Sequence, residues 1–252
     1  SMSASQVDQI ELITNPSAKY DASGNAGIIN IKTKKNKQKG INGTLSLSYG
    51  QGRYPKSNNS FLLNYRQGKF NSFFNLSTGY NESFTDIYAL RDYYDVTGKT
   101  IASLDQTTYL KGQSLNNTIK TGVDYYATEK TSFGIAFTGV IVSRKGVSDA
   151  RANWINESGG TDSTIITTGN SSNRFQNGSL NLNFRHAINK SQYISADFDW
   201  LNYDIRNEQY FSNQLDVSGG YNEASQGYLP SSIHILSGKI DHSFRFGQNG
   251  KL

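Results

Sequence analysis

Leu180-Asn181-Leu182-Asn183-Phe184-Arg185-His186-Ala187-Ile188-Asn189-Lys190-Ser191-Gln192-Tyr193-Ile194-Ser195-Ala196-Asp197-Phe198-Asp199-Trp200 holds the pattern on which the fold turns. Successive side chains of an extended strand point to opposite faces, so a period of two sorts them into two sets. Leu180, Leu182 and Phe184 fall on one face, and Asn181, Asn183 and Arg185 on the other. Beyond the short break Ile188-Asn189-Lys190, Ile194, Ala196, Phe198 and Trp200 oppose Ser195, Asp197 and Asp199. Two alternating runs separated by a few turn-forming residues read as an antiparallel hairpin with one apolar and one polar face.

The same alternation recurs on both sides. Leu45, Leu47 and Tyr49 oppose Ser46, Ser48 and Gly50; Phe61, Leu63 and Tyr65 oppose Asn64 and Arg66; Phe70, Phe74, Leu76 and Tyr80 oppose Asn71, Asn75 and Ser77. Ile119, Thr121, Val123 and Tyr125 oppose Lys120, Gly122 and Asp124; Phe133, Ile135, Phe137 and Ile141 oppose Gly134, Ala136 and Thr138; Leu236, Ile240, Phe244 and Phe246 oppose Lys239, Asp241 and Arg245. Eight such segments after Gly40 predict an all-β region of about eight antiparallel strands in sequential up-and-down order.

Short turns fall at Gln67-Gly68-Lys69, Thr128-Glu129-Lys130, Ile188-Asn189-Lys190 and Gln248-Asn249-Gly250, with centres near 68, 129, 189 and 249. Between them lie long polar stretches, roughly 83–112, 147–173 and 207–231, which read as loops with no sequence repeat accompanying the spacing. Short turns at one end and long loops at the other are the layout of an outer-membrane barrel. Alternation alone does not say which face is outside, and an antiparallel sheet with one solvated face reads equally well from it. The loop asymmetry favours the membrane, with Lys120, Asp124, Arg185, Asp197, Asp199, Lys239, Asp241 and Arg245 turned to a lumen.

Composition agrees with strands. The chain has 252 residues with 16 Tyr and 13 Phe against 3 Pro and no Cys, so neither a disulfide framework nor a cysteine metal site is available. Only 35% of residues are hydrophobic, and no apolar run is long enough for a membrane helix. Barrel strands, which alternate, average out as hydrophilic in any case. The net charge of +5 is dispersed apart from Lys32, Lys34, Lys35, Lys37 and Lys39, which read as a solvated connector and not as a nucleic-acid surface. Ser1-Met2-Ser3-Ala4 lacks the pattern of a signal peptide and reads as an expression scar within a leader over 1–6.

Residues 7–39 form a unit of their own. Val7 to Thr14 reads as a strand, Asn15-Pro16-Ser17 interrupts it, Asp21-Ala22-Ser23-Gly24-Asn25 is a turn cluster, and Gly27-Ile28-Ile29-Asn30-Ile31-Lys32-Thr33 is a second strand. The series Ile10-Glu11-Leu12-Ile13, Asn15-Pro16-Ser17, Tyr20-Asp21 and Gly27-Ile28-Ile29-Asn30-Ile31 resembles the end of the plug domain of TonB-dependent outer-membrane receptors, in the variant common in Bacteroidetes. Asn15 and Asp21 stand where the family has glycine, and both residue types tolerate left-handed backbone. The resemblance implies a plug end over 7–39 and the N-terminal part of a transmembrane barrel over 40–252. It implies an outer-membrane location, contact with lipid, and active uptake of a scarce nutrient such as a chelated metal, vitamin, glycan or peptide. Energy would come from TonB through a segment outside these residues. It implies no cofactor, and no ligand-binding role passes to the plug motif.

No HExxH, P-loop or GxSxG motif occurs, so the reading is not that of an enzyme. His234 and His242 are eight positions apart on one strand, too far to share a metal. Asp197 and Asp199 read as lumen wall beside basic residues. Tyr93, Tyr94, Trp154, Tyr210 and Phe211 lie in the long polar stretches and are the candidate ligand-contacting residues, since binding side chains favour loops on rigid scaffolds. The alternative reading is an outer-membrane adhesin or a soluble β-sheet binding module. A full receptor closes with about 22 strands. Eight strands leave raw edges, so the expected state is an open sheet that depends on detergent or on self-association.

Overall fold

The computed structural model describes residues 7–13, 28–33, 39–189, 191–246 and 250–251. Two strands, β1 (Val7–Ile13) and β2 (Ile28–Thr33), pair antiparallel as a small sheet of their own, with Ile10 opposite Ile31 and Leu12 opposite Ile29. The turn residues expected between them lie outside the described residues. The second sheet contains β3 (Gly40–Gln51), β4 (Pro55–Gln67), β5 (Phe70–Tyr94), β6 (Thr100–Tyr126), β7 (Thr131–Asn156), β8 (Thr161–Ala187), β9 (Gln192–Asp216), β10 (Asn222–Phe246) and the two-residue β11 (Gly250–Lys251). Every strand pairs with its neighbour in sequence, so the eight long strands form one antiparallel up-and-down sheet without helices. The sheet is open, with β3 at one edge and β10 and β11 at the other.

One expectation is overturned. The stretches 83–112, 147–173 and 207–231 are not long loops. From β5 onward the strands run straight through them for 25–27 residues, about 80–90 Å at 3.3 Å per residue. The far ends close in tight turns, Asp95-Val96-Thr97-Gly98, Asn156-Glu157-Ser158-Gly159 and Asp216-Val217-Ser218-Gly219, each with its glycine at positive φ. These turns share the form Asp/Asn-x-Ser/Thr-Gly and recur near every 60 residues, a repeat that the sequence reading passed over. In the first, Asp95 Oδ1 accepts from Thr97 N at 2.8 Å, Thr97 Oγ1 at 2.7 Å and Lys99 N at 2.9 Å. In the second, Asn156 Oδ1 accepts from Ser158 N at 3.1 Å and Gly160 N at 2.9 Å. An Asx side chain mimics a backbone turn in this way.

The strands stayed hidden because their polarity inverts partway along. Between the short turns and the level of Thr78, the alternating apolar residues of every strand lie on one face. One row across the sheet reads Phe70, Tyr125, Phe133, Phe184, Ala196 and Ile240; another reads Phe74, Thr121, Phe137, Leu180, Trp200 and Leu236. The opposite face there carries Lys120, Asp124, Arg185, Asp197, Asp199, Lys239 and Asp241, linked by Asn71 Nδ2 to Asp124 Oδ2 at 3.2 Å and Asn181 Nδ2 to Asp199 Oδ1 at 2.7 Å. Farther out the sets exchange. The first face becomes charged, with Glu82, Asp86, Lys111, Lys145, Asp149, Arg174, Arg206 and Glu208; the opposite face gains Val142, Trp154, Phe175, Ile205, Phe211 and Leu215. We call the first face the belt face, after its apolar lower half.

A one-layer sheet has no interior. Among the described residues no hydrophobic side chain is buried, and belt residues stand open, Ile240 at 80% and Leu236 at 68% exposed. Aromatic pairs run along the lower margin of the belt: Phe70 and Tyr125 have centroids 4.9 Å apart, and Phe133 and Phe184 5.1 Å apart. On the opposite face Phe73 breaks the polar pattern and lies over Gly122, where a Cβ would come within 2.6 Å of the Phe73 ring and 2.7 Å of the Ile135 carbonyl. Gly178, on the belt face, has nothing within 4 Å of such a position.

Gly122→Ala is therefore expected to destabilise the sheet by about 1–3 kcal/mol through overpacking. Gly178→Ala is expected to be neutral or to stabilise by roughly 0.5–1 kcal/mol, as an alanine that relieves strand-interior glycine entropy. Urea unfolding of the detergent-solubilised protein, followed by tryptophan emission, separates the two; equal midpoints would contradict the packing described.

Candidate functional site

The extended halves of β5–β10 turn the opposite face into an aromatic and amide-lined surface with few charges. Beyond the margin residue Arg144, its charges among the described residues are Arg91 and Glu223. A face of this kind stacks and hydrogen-bonds more than it attracts ions.

Of the five candidates from sequence, the structure brings together two. Tyr93 is the last residue but one of β5 and Trp154 lies two residues before the end of β7, both on strands and not in loops, and their rings lie 5.1 Å apart with 31° between planes. The strand between them, β6, places only Ala102 opposite Tyr93 and Leu104 opposite Trp154, which leaves room for the rings to meet above it. Register shifts follow immediately, at Tyr93/Tyr94 and at Trp154/Ile155, where the strands bend into their turns.

Phe211 lies on this same face but in mid-strand on β9. It is level with Ser148, six residues short of Trp154 along β7, or about 20 Å. Its ring covers Gly169, where a Cβ would sit 3.0 Å from the Phe211 Cδ1. With Gly112, Gly146, Ser83 and Ser171 it borders a depression of about 380 Å³. Small residues from four adjacent strands make the floor, so the trough is a product of register. Tyr94 and Tyr210 project from the belt face and belong to neither feature.

The structure also assembles a cluster that sequence reasoning missed. The hairpin of β3 and β4 is half the length of the others and ends level with Asn81, which drops its turn residues Arg53 and Tyr54 onto β5 and β6 on the belt face. The Arg53 guanidinium lies 4.3 Å from the Phe84 ring centroid and 5.5 Å from that of Tyr109. Tyr54 and Tyr109 share a hydroxyl hydrogen bond of 2.7 Å, and Lys111 Nζ lies 4.5 Å above the Tyr54 ring. Glu82, only 7% exposed, accepts from the Tyr80 hydroxyl at 2.7 Å and pairs with Lys111 at 2.9 Å. The i, i+2 sets Tyr80-Glu82-Phe84 and Tyr109-Lys111 signalled a shared face, but Phe84, Tyr109 and Lys111 lay in the stretch 83–112 read as a loop, with Tyr80 and Glu82 just before it.

The three histidines stay apart. His186 Nδ1 lies 2.9 Å from Thr131 Oγ1, while His234 and His242 sit at separate levels of β10. Among the described residues no three metal-ligating groups converge. No family model matches the chain, and no curated protein is similar to it.

Two measurements check the distal end. The Thr97 hydroxyl and the Lys99 and Thr97 amides hold the Asp95 carboxyl below the usual carboxylate range. A depressed folded-state value stabilises the turn above the ordinary value of 3.8 and loses that contribution as pH falls through the lower folded value. Protection of the Lys99 amide from hydrogen exchange is therefore expected to be constant above pH 4 and to drop below it, and Asp95→Ala is expected to remove the dependence. Separately, a double-mutant cycle on Tyr93→Ala and Trp154→Ala is expected to return a coupling of about 0.5–1.5 kcal/mol; no coupling would mean that the rings do not stack in solution.

Proposed function

We propose that residues 40–252 are the N-terminal part of a transmembrane β-barrel of the TonB-dependent receptor type, that residues 7–39 are the end of its plug, and that the whole takes up a scarce nutrient across the outer membrane. The observation that carries this reading is the apolar belt with its inversion. The apolar rows run from that of Phe70 to that of Leu76 and end in a mostly polar row at Thr78, nine residues along a strand, close to the number with which a tilted strand crosses an outer membrane. Above that height the face becomes charged, as a barrel wall must where it leaves lipid for water. The strands continue beyond the belt for more than a dozen residues, so the rings and amides of the opposite face stand above the membrane, inside the wall. A ligand arriving from outside meets that surface first.

A soluble module with the same alternation would cover its belt face with a second layer and so bury it. Here the belt side chains are open over the whole width of the sheet, which supports lipid as their solvent. The pairing of β1 with β2 fits the plug resemblance of residues 7–34.

The chain has two tryptophans, Trp200 in the belt and Trp154 at the far end on the opposite face. In vesicles carrying brominated acyl chains, the emission of Trp200 in the Trp154→Phe variant is expected to be quenched. That of Trp154 in the Trp200→Phe variant is expected to stay bright and to respond to aqueous iodide. Quenching of neither by the lipid would refute the membrane reading.

A further inference from the structure

The belt is not uniform. In the row Leu76, Ile119, Gly139, Gly178, Asn202 and His234, two glycines stand directly opposite each other on β7 and β8. Missing side chains at adjacent positions leave a notch in the apolar wall, a depression of about 500 Å³. Ile119 and Phe137 border it, and a Cβ at Gly139 would lie 3.0 Å from Ile119 and 3.4 Å from the Phe137 ring, while Gly178 faces open space. At its outer end stand Gln176 and Asp204, opposite each other, and in the next row Arg174 and Arg206, also opposite each other.

Like charges directly across a strand pair repel, and in a one-layer sheet nothing in the fold requires them there. Arg206 Nε lies 3.0 Å from Asp204 Oδ1. Arg174 has a neutral neighbour: with the Gln176 amide turned to accept, its Nη2 and Nε lie 2.8 and 3.2 Å from the amide oxygen. Lys145 stands one row farther out on β7, level with Glu208 on β9. The two arginines and Lys145 against Asp204 and Glu208 leave one positive charge in excess.

We propose that this is a binding site for a single phosphodiester lipid: an acyl chain lies in the Gly139–Gly178 notch, and the phosphate sits between the Arg174 and Arg206 guanidiniums. The charge excess matches a phosphodiester monoanion, and paired guanidiniums suit its oxygens geometrically. The apolar notch and the cationic margin meet at the level where the belt gives way to charge, which is where a headgroup lies against a barrel wall. The proposal rests on the membrane reading of the belt.

The test uses the full chain in detergent, titrated with palmitoyl-oleoyl phosphatidylglycerol and followed by native mass spectrometry. One retained lipid per chain is expected, with apparent affinity falling at least tenfold in Arg174→Gln/Arg206→Gln and in Gly178→Leu, which fills the notch. Diacylglycerol with the same chains is expected to be retained at least tenfold less. Inorganic phosphate at the same concentration is expected to leave the lipid in place. Unchanged retention in either variant, equal retention of diacylglycerol, or displacement by phosphate would each overturn the proposal. Quenching of Trp200 by brominated lipid is measured on the same samples. If it persists in both variants while lipid retention is unchanged, the site fails and the belt stands. If it is missing in the unaltered protein, the belt reading fails and the site falls with it.

Discussion

A β-sheet one layer thick has no inside, and that constraint organises everything else in this protein. Between its two edge strands the sheet satisfies its backbone hydrogen bonds from strand to strand, so the backbone there makes no demand on what lies above or below. Side chains are placed by parity alone, and whatever medium touches a face must suit every second residue of every strand. The belt face meets that demand with Phe, Leu, Ile and Trp over one span and with Glu, Asp, Lys and Arg over the next. The opposite face runs in counterphase.

The inversion also explains how the two ends divide the work. Near the short turns the opposite face is held by amide-to-carboxylate bonds such as Asn181 to Asp199, a wall of fixed dipoles and charges. Near the far turns the same face offers the Tyr93–Trp154 stack and the Gly-floored trough under Phe211. Positions of this second kind need small residues in register on several strands, since a Cβ at Gly146 would fall 2.7 Å from the Ser171 hydroxyl. Glycine in a strand interior has an entropic cost. Where two glycines stand directly opposite each other, Gly112 with Gly146 on one face and Gly139 with Gly178 on the other, the sheet surface is hollowed.

At the margin between the apolar and the charged rows of the belt face, the short β3–β4 hairpin contributes a different kind of feature. Arg53 rests on Phe84 and Tyr109, and Lys111 pairs with Glu82 while covering Tyr54. Cations stacked on rings retain their charge toward water while their stems lie on apolar surface. The hairpin's length decides this, because a turn ending level with Asn81 delivers Arg53 to the margin and nowhere else.

The sequence by itself determined the strands near the short turns, their order and their faces. Each is written as local alternation of constant phase, as in Leu180 to Arg185, and a short turn leaves sequential antiparallel pairing as the simplest outcome. It also yielded β1 and β2 as strands, while their pairing with each other came from the structure. It did not yield the far halves of the strands, because there the phase reverses: apolar residues pass from Phe198 and Trp200 to Leu201, Tyr203 and Ile205, and a pattern followed at fixed phase ends at the switch. The turns Asp95-Val96-Thr97-Gly98 and Asn156-Glu157-Ser158-Gly159 were legible as chemistry, yet their role depended on knowing that strands enter them. Only the tertiary structure decided which residues meet. Gly139 faces Gly178, Arg174 faces Arg206 and Tyr93 reaches Trp154 through cross-strand register, and register is fixed by the summed fit of some two dozen pairs per interface, which no single stretch of sequence contains.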